Sequence, residues 1–304
     1  MKKKIIEVSN LVKRYKKNGT FALNGINLSI RKGSIFGLLG PNGAGKSTFI
    51  NILAGLVNKT SGTVKVFDLD LDKEPKTIRG NLGIVPQEIN IDPFFTPMEV
   101  MENQAGMYGI RKNRRKSSEI LENLNLKDKA NAYSRSLSGG MKRRLMVAKA
   151  MVHNPPIIIL DEPTAGVDVE LRNKLWDYIR KLNKAGTTII LTTHYLKEAE
   201  ILCDELAVID NGEVIACDKK NNLLSLLDYK RLILEFYNDD FKIPQKLKKY
   251  CIKINRNSVV LKFNKNEISV TDLIKKFEGV KNKIKDISTK ETDLEEIFIN
   301  LLKK

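Results

Sequence analysis

The sequence contains no run approaching the roughly 18 consecutive apolar residues that a membrane-spanning helix needs, so no helical span is expected. It has only three cysteines, Cys203, Cys217 and Cys251. They are odd in number and lack metal-ligand spacing, which argues against a disulfide framework or a zinc module and favours reduced, structural thiols of a cytosolic protein. Histidine is rarer still, at two residues. A hydrophobic leader core is also missing: after Met1-Lys2-Lys3-Lys4 only Ile5-Ile6 precede Glu7, so no secretion signal is expected.

Acidic residues are scarce relative to basic ones, 36 against 53, giving a net charge of +17. Such an excess attracts nucleic acid or an anionic membrane face, or it simply reflects a lysine-rich composition. The charges are scattered, with short clusters only at 111–116 and 142–144 and no basic tract interleaved with aromatics. Composition therefore accounts for most of the excess, with membrane proximity as a lesser contribution. The 304 residues suffice for one large or two modest domains with a real core.

One stretch stands out. Gly40-Pro41-Asn42-Gly43-Ala44-Gly45-Lys46-Ser47-Thr48 fits G-x-x-x-x-G-K-[ST], the phosphate-binding P-loop. A triphosphate needs backbone N–H donors converging on its oxygens, and side chains would block that approach. Gly40, Gly43 and Gly45 allow a concave nest. Lys46 places a positive charge at the β- and γ-phosphates, and Ser47 offers a hydroxyl to Mg²⁺. The apolar run 34–39 before it reads as a buried strand. Phe49, Ile52, Leu53 and Leu56 after it recur at helical spacing, so a helix N-terminus points at the phosphates.

Before the loop, Ile5–Val8 and 21–30 read as antiparallel strands about the polar turn 16–20. Tyr15 ends the first; ordinary packing and stacking on an adenine ring are equally open for it. Residues 62–67 and 82–85 read as strands. Gln87 lies just past the second, where open α/β sheets place ligand contacts, although alone it would be a surface glutamine. A helical insert with a basic surface follows at 97–131. Next, Leu137-Ser138-Gly139-Gly140-Met141 reads as a helix N-terminus capped by Ser138. Its two glycines serve a simple turn or expose N–H groups to a second phosphate.

Pro155-Pro156 end that helix, and the strand 157–160 delivers Asp161-Glu162 at its carboxyl end. An acidic pair there suits Mg²⁺-dependent hydrolysis: one carboxylate holds the metal shell while the other polarises water. Val169–Lys184 is amphipathic, with Leu171, Leu175, Tyr178, Ile179 and Leu182 on one face. The strand 187–193 ends at His194, which is either structural or functional at this third strand end. Asn211-Gly212 predicts a hairpin turn.

Past residues 218–222 the composition changes. The tail reads as strand 232–237, helix 244–250, strands 252–255 and 259–263, helix 270–277, strand 283–287 and helix 294–302, a split βαβ, ferredoxin-like order. It has no evident catalytic constellation.

Taken together, these motifs resemble those of an ATP-binding cassette (ABC) ATPase over about residues 4–220. Gly40–Thr48 matches its Walker A loop and Gln87 its Q-loop glutamine. Leu137–Met141 matches the ABC signature, with Met141 where glutamine is usual. Residues 157–161 with Glu162 match Walker B and the catalytic glutamate, 165–168 match the D-loop, and His194 matches the switch histidine. Tyr15 stands where the family's adenine-stacking aromatic would be.

The resemblance implies an α/β fold: a RecA-like P-loop core with an antiparallel β subdomain and a helical subdomain, about 92–150, within a domain at 1–222. A small α+β domain, ferredoxin-like in pattern, would occupy 223–304. It implies ATP bound by Tyr15, Gly40, Asn42, Gly43, Ala44, Gly45, Lys46, Ser47 and Thr48, and by Ser138, Gly139 and Gly140 in trans. Ser47, Gln87 and Asp161 would hold Mg²⁺; Glu162, His194, Lys46 and Gln87 would carry hydrolysis. Two cassettes, identical or different, would pair head to tail on a separate transmembrane permease, peripheral to the cytoplasmic side of the membrane, with no nucleic acid partner. Residues 193–200, 138–145 and 293–298 look most like the exporter group containing drug-resistance and antibiotic-immunity ATPases. An importer subunit and a soluble ABC protein acting on ribosomes or nucleic acid are the alternatives; the long coiled-coil or zinc insertions usual in the latter are missing.

Overall fold

A computed structural model describes residues 3–164, 169–226, 228–238, 241, 243–277, 284–291 and 293–302. The chain forms two compact units, 1–220 and 221–304.

In chain order the first unit starts with β1 (Lys4–Arg14), β2 (Phe21–Arg31) and β3 (Ile35–Leu39). Helix α1 (Lys46–Leu53), β4 (Ser61–Val66), β5 (Leu69–Asp70), α2 (Pro75–Gly80) and β6 (Leu82–Val85) follow. The insert contains α3 (Pro97–Met107) and α4 (Ser117–Asn123). It leads into α5 (Gly139–Met151), then β7 (Ile157–Asp161), α6 (Val169–Lys184), β8 (Thr188–Thr192), α7 (Leu196–Leu202), β9 (Glu205–Asp210) and β10 (Glu213–Lys219).

Two sheets organise this unit. Strands β2-β1-β4-β5 form an antiparallel sheet, and β10-β9-β3-β8-β7-β6 a six-stranded, mostly parallel one. Every residue of β3, β7 and β8 is buried, as expected of parallel strands covered on both faces. One apolar cluster draws on both sheets and on α1, with Phe36, Phe49, Ile52 and Leu53 among its fully buried members. Leu56, expected on the buried helical face, lies beyond the end of α1 and is exposed. The helix has already stopped at Leu53, so the periodicity no longer applies. The hairpin turn has Asn211 at φ +47° and Gly212 at φ +80°, the left-handed pair of a type I′ turn.

The insert is broken into short pieces rather than one long helix. Thr96 caps α3, accepting from the Glu99 N–H while the Glu99 carboxylate accepts from the Thr96 N–H, and Pro97 takes the first helical position. A short 3₁₀ turn at 112–114 separates α3 from α4.

The second unit contains α8 (Lys220–Leu224, beginning at the boundary), β11 (Tyr229–Phe236), β12 (Cys251–Ile254), β13 (Ser258–Asn264), α9 (Val270–Lys275), β14 (Ile284–Glu291) and α10 (Leu294–Leu302). Its sheet runs β12-β13-β11-β14 with antiparallel neighbours, the order of a split βαβ unit. Where a first helix is expected at 244–250, the chain makes a 3₁₀ turn, Gln245–Tyr250, that still buries Leu247 against the sheet.

Candidate active site

Strands β3, β6, β7 and β8 are parallel neighbours, so their carboxyl ends lie along one edge of the sheet. Sequence order separates the segments following them by as much as 150 residues; the sheet brings them together. After β3 comes the loop leading to α1, after β6 Gln87, after β7 Glu162, and after β8 His194.

The loop itself is tightly held. Gly43 and Gly45 adopt φ +82° and +111°, which a side chain would strain. The ammonium of Lys46 is buried and donates to the Gly40 and Pro41 carbonyls at 2.8 and 2.9 Å. Two of its three donors therefore brace the loop, leaving a third for an anion. Burial pushes the Lys46 amine below its usual range, and the charges of Glu162 and Asp161 partly oppose that.

A cavity of about 340 Å³ opens here, lined by Ala22, Asn42, Gly43, Gly45, Lys46, Ser47, Thr48, Gln87 and Glu162. Glu162 sits at its wall with φ +49°, an uncommon conformation for a non-glycine residue. Its N–H donates to the Thr192 hydroxyl at 3.1 Å and carbonyl at 3.2 Å. Its carboxylate accepts from the Gln87 amide at 3.3 Å and lies 3.2 Å from His194 Nδ1. Asp161 is buried beside it, and its carboxylate accepts from the Thr192 hydroxyl at 2.5 Å. Register decides this, because Asp161 pairs with Thr192 across β7 and β8. Tyr15 is exposed, with its hydroxyl 3.3 Å from that of Thr48 and the Lys13 ammonium 4.8 Å from its ring centroid.

Of the predicted site residues, the fold gathers the loop, Gln87, Asp161, Glu162 and His194, with Tyr15 at the margin. Ser138, Gly139 and Gly140 do not line this cavity. The Ser138 hydroxyl accepts from the Met141 N–H at 3.3 Å as the cap of α5, and Ser138 and Gly139 face solvent. Residues 165–168 lie outside the described residues.

Three contributors had no place among the expected site residues. Ala22 lines the cavity from β2. Thr192 links both carboxylate residues, and its polar side chain at the end of an apolar strand was the available signal. Arg143 belongs to the short basic cluster at 142–144, for which no site role is expected from the sequence. Both Arg143 and Arg144 are buried. Arg144 donates to the Leu124 carbonyl at 2.6 Å, tying α5 to the insert. Arg143 donates to the Pro86 and Gln87 carbonyls, both at 2.7 Å.

A glycine-rich loop entering a helix, with an acidic pair at the end of β7 and with β8 between β3 and β7 in a mostly parallel sheet, defines a P-loop nucleoside triphosphatase. The antiparallel sheet, the helical insert and the capped Ser-Gly-Gly helix narrow it further. The ABC transporter family model matches residues 23–165. The linearmycin resistance ATP-binding protein LnrL of Bacillus subtilis is 35% identical over 98% of both chains. The daunorubicin/doxorubicin resistance ATP-binding protein DrrA of Streptomyces peucetius is 42% identical over 77% of this chain and 71% of its own. A dimeric ATP-binding cassette solved in a post-hydrolysis state with ADP and Pi is 30% identical, with TM-score 0.63 over 71% of this chain and 98% of that one. The chain belongs to the ATP-binding proteins of ABC transporters, and as such is an ATP-binding ATPase.

Proposed function

We propose that the chain is the energising subunit of an exporter, hydrolysing ATP as one of two paired cassettes on a separate membrane permease. The resistance roles in the names of LnrL and DrrA support export, and the dimeric relative supports pairing. No helix among the described residues is long and apolar enough to cross a membrane. A groove of about 320 Å³, lined by Pro86 and Ile84 at the strand end and by Gln104, Tyr108 and His153, offers a seat for a permease segment beside Gln87.

The observation that carries the hydrolytic reading is the Glu162 carboxylate, held between Gln87 and His194 on the wall of the loop cavity. Tyr15 stacks on adenine. The backbone N–H groups of 43–48, with Lys46, hold the phosphates. Ser47, Gln87 and Asp161 each offer a side-chain oxygen, the ligand Mg²⁺ selects, and the Gln87 amide nitrogen is already committed to Glu162, so the residues fit that ion. When bound, Mg²⁺ neutralises phosphate charge. Glu162 accepts the proton of the attacking water, and His194 orients the γ-phosphate. Ser138, Gly139 and Gly140 reach the nucleotide held by the other cassette, which accounts for their place away from this cavity. Glu162→Gln keeps the shape and removes the base, so ATP binding should persist while turnover falls about 10²–10⁴-fold. Phosphate release together with ATP binding checks this, and wild-type turnover in the variant would sink the assignment.

A further inference from the structure

The guanidinium of Arg143 makes a two-bond polar contact between the signature helix and the site. Arg143 is the fifth residue of α5, about one and a half turns past the Ser138 cap. Its two terminal nitrogens donate to two successive carbonyls, Pro86 and Gln87, at 2.7 Å each. Those distances are short for N–H···O bonds and fit a charged donor. The side chain is almost fully buried, and its Nε has no hydrogen-bond partner, so the fork is committed to this one backbone segment. Burial disfavours its charge, while Asp161 and Glu162 favour it.

The fork holds the segment that aims Gln87. With the Pro86 and Gln87 carbonyls fixed, the Gln87 amide is directed at Glu162. We infer that Arg143 is a positioning residue of ATP hydrolysis, setting Gln87 against Glu162 and joining the Ser138-Gly139-Gly140 helix start to that pair. The inference rests on the hydrolytic reading of Glu162 and Gln87. A lysine cannot replace the fork: its ammonium is a point charge without the planar geometry that matches two adjacent carbonyls. Physically, a rigid helix carries Arg143, so any shift of the signature end moves the Gln87 backbone with it.

A double-mutant cycle with Arg143→Ala and Gln87→Ala tests this. ATPase kcat, KM for ATP and thermal unfolding are read on the full chain, with its permease where turnover requires it. Arg143→Ala should lower kcat at least tenfold with KM within about threefold. In the Gln87→Ala background the same change should alter kcat less than twofold, because its route of action is already gone. Arg143→Lys should fall between the wild type and Arg143→Ala; it runs the cycle if the alanine variant does not fold. Effects that multiply across the cycle, an unchanged kcat in the single Arg143 variants, or a Gln87→Ala enzyme of normal kcat would each overturn the proposal. Normal turnover of Glu162→Gln would instead remove the hydrolytic reading beneath it, so the two failures are distinct.

Discussion

Replacing Gly45 by alanine perturbs the loop in two separable ways. The first is backbone strain: φ is +111° and ψ −1°, and holding an L-residue left-handed costs about 1–2 kcal/mol. The second is overlap. A Cβ at Gly45 would lie 2.5 Å from the Ala22 carbonyl oxygen and 2.8 Å from Leu23 Cδ2. The first of these is backbone of β2 and cannot swing aside, so relief requires the loop to move, at about 1–3 kcal/mol. The sum is about 2–5 kcal/mol, or about 4–20 °C in Tm for a unit of this size. Gly43 is the internal control. It shares the left-handed conformation at φ +82°, yet a Cβ there meets nothing within 4 Å. Gly43→Ala should therefore cost strain alone, about 1–2 kcal/mol, or about 2–8 °C. Moving the Gly45 backbone also displaces Lys46 from the Gly40 and Pro41 carbonyls, and a displacement near 1 Å at a reacting centre costs about 10²-fold in rate. Circular dichroism melts and ATPase kcat/KM measure both effects. If Gly45→Ala were no more damaging than Gly43→Ala in either assay, the close approach of the loop to β2 would not be what constrains it.

Other perturbations have equally definite outcomes. Thr192→Val keeps the β-branched shape but leaves buried Asp161 without its donor, so stability should drop about 1–3 kcal/mol and kcat should fall, with Thr192→Ser restoring both; equal melts and rates in the valine variant would refute the link. Tyr15→Ala removes an exposed ring beside Thr48 and should raise KM for ATP about tenfold with kcat within twofold, since base stacking is worth about 1–3 kcal/mol. An unchanged KM would show that the ring does not meet adenine. His153 stacks on Tyr108 at 3.8 Å, and burial pushes its imidazole below 6.5, partly opposed by the Leu82 carbonyl. The folded chain then binds this proton less readily than the unfolded one, so its contribution is lost as pH falls below 6.5 toward the lowered value. Melts between pH 7 and 5 should decline less steeply for His153→Gln than for the wild type, and parallel slopes would contradict the burial argument.

Much of the cassette is legible from short spacings. The loop at 40–48, the Ser138 cap, the Asn-Gly turn and the strands flanking them are encoded within a few residues, because glycine φ, capping oxygens and β-branched runs act locally. The amphipathic stretch Val169–Lys184 becomes α6 over the same span, and Leu175, Tyr178 and Ile179 are buried as their spacing suggests. Helix ends were less legible. Leu56 continues the 3.6-residue rhythm past the point where α1 stops, and 244–250 tightens into a 3₁₀ turn. The cluster at 142–144 was less legible still: nothing local shows that carbonyls from 86–87 and 124–125 accept from Arg143 and Arg144.

By itself, then, the sequence determined the phosphate loop, the acidic pair and the family, because each depends on residues adjacent in the chain. The tertiary structure alone decided what surrounds Glu162. The β7–β8 register puts Thr192 against the Asp161 carboxylate and the Glu162 N–H, the β6 end brings Gln87 to 3.3 Å from the Glu162 carboxylate, and α5 turns Arg143 inward. It also left Ser138, Gly139 and Gly140 away from the cavity of their own chain. Parallel strands and packed helices select those partners over separations of dozens of residues, and no local spacing carries that information.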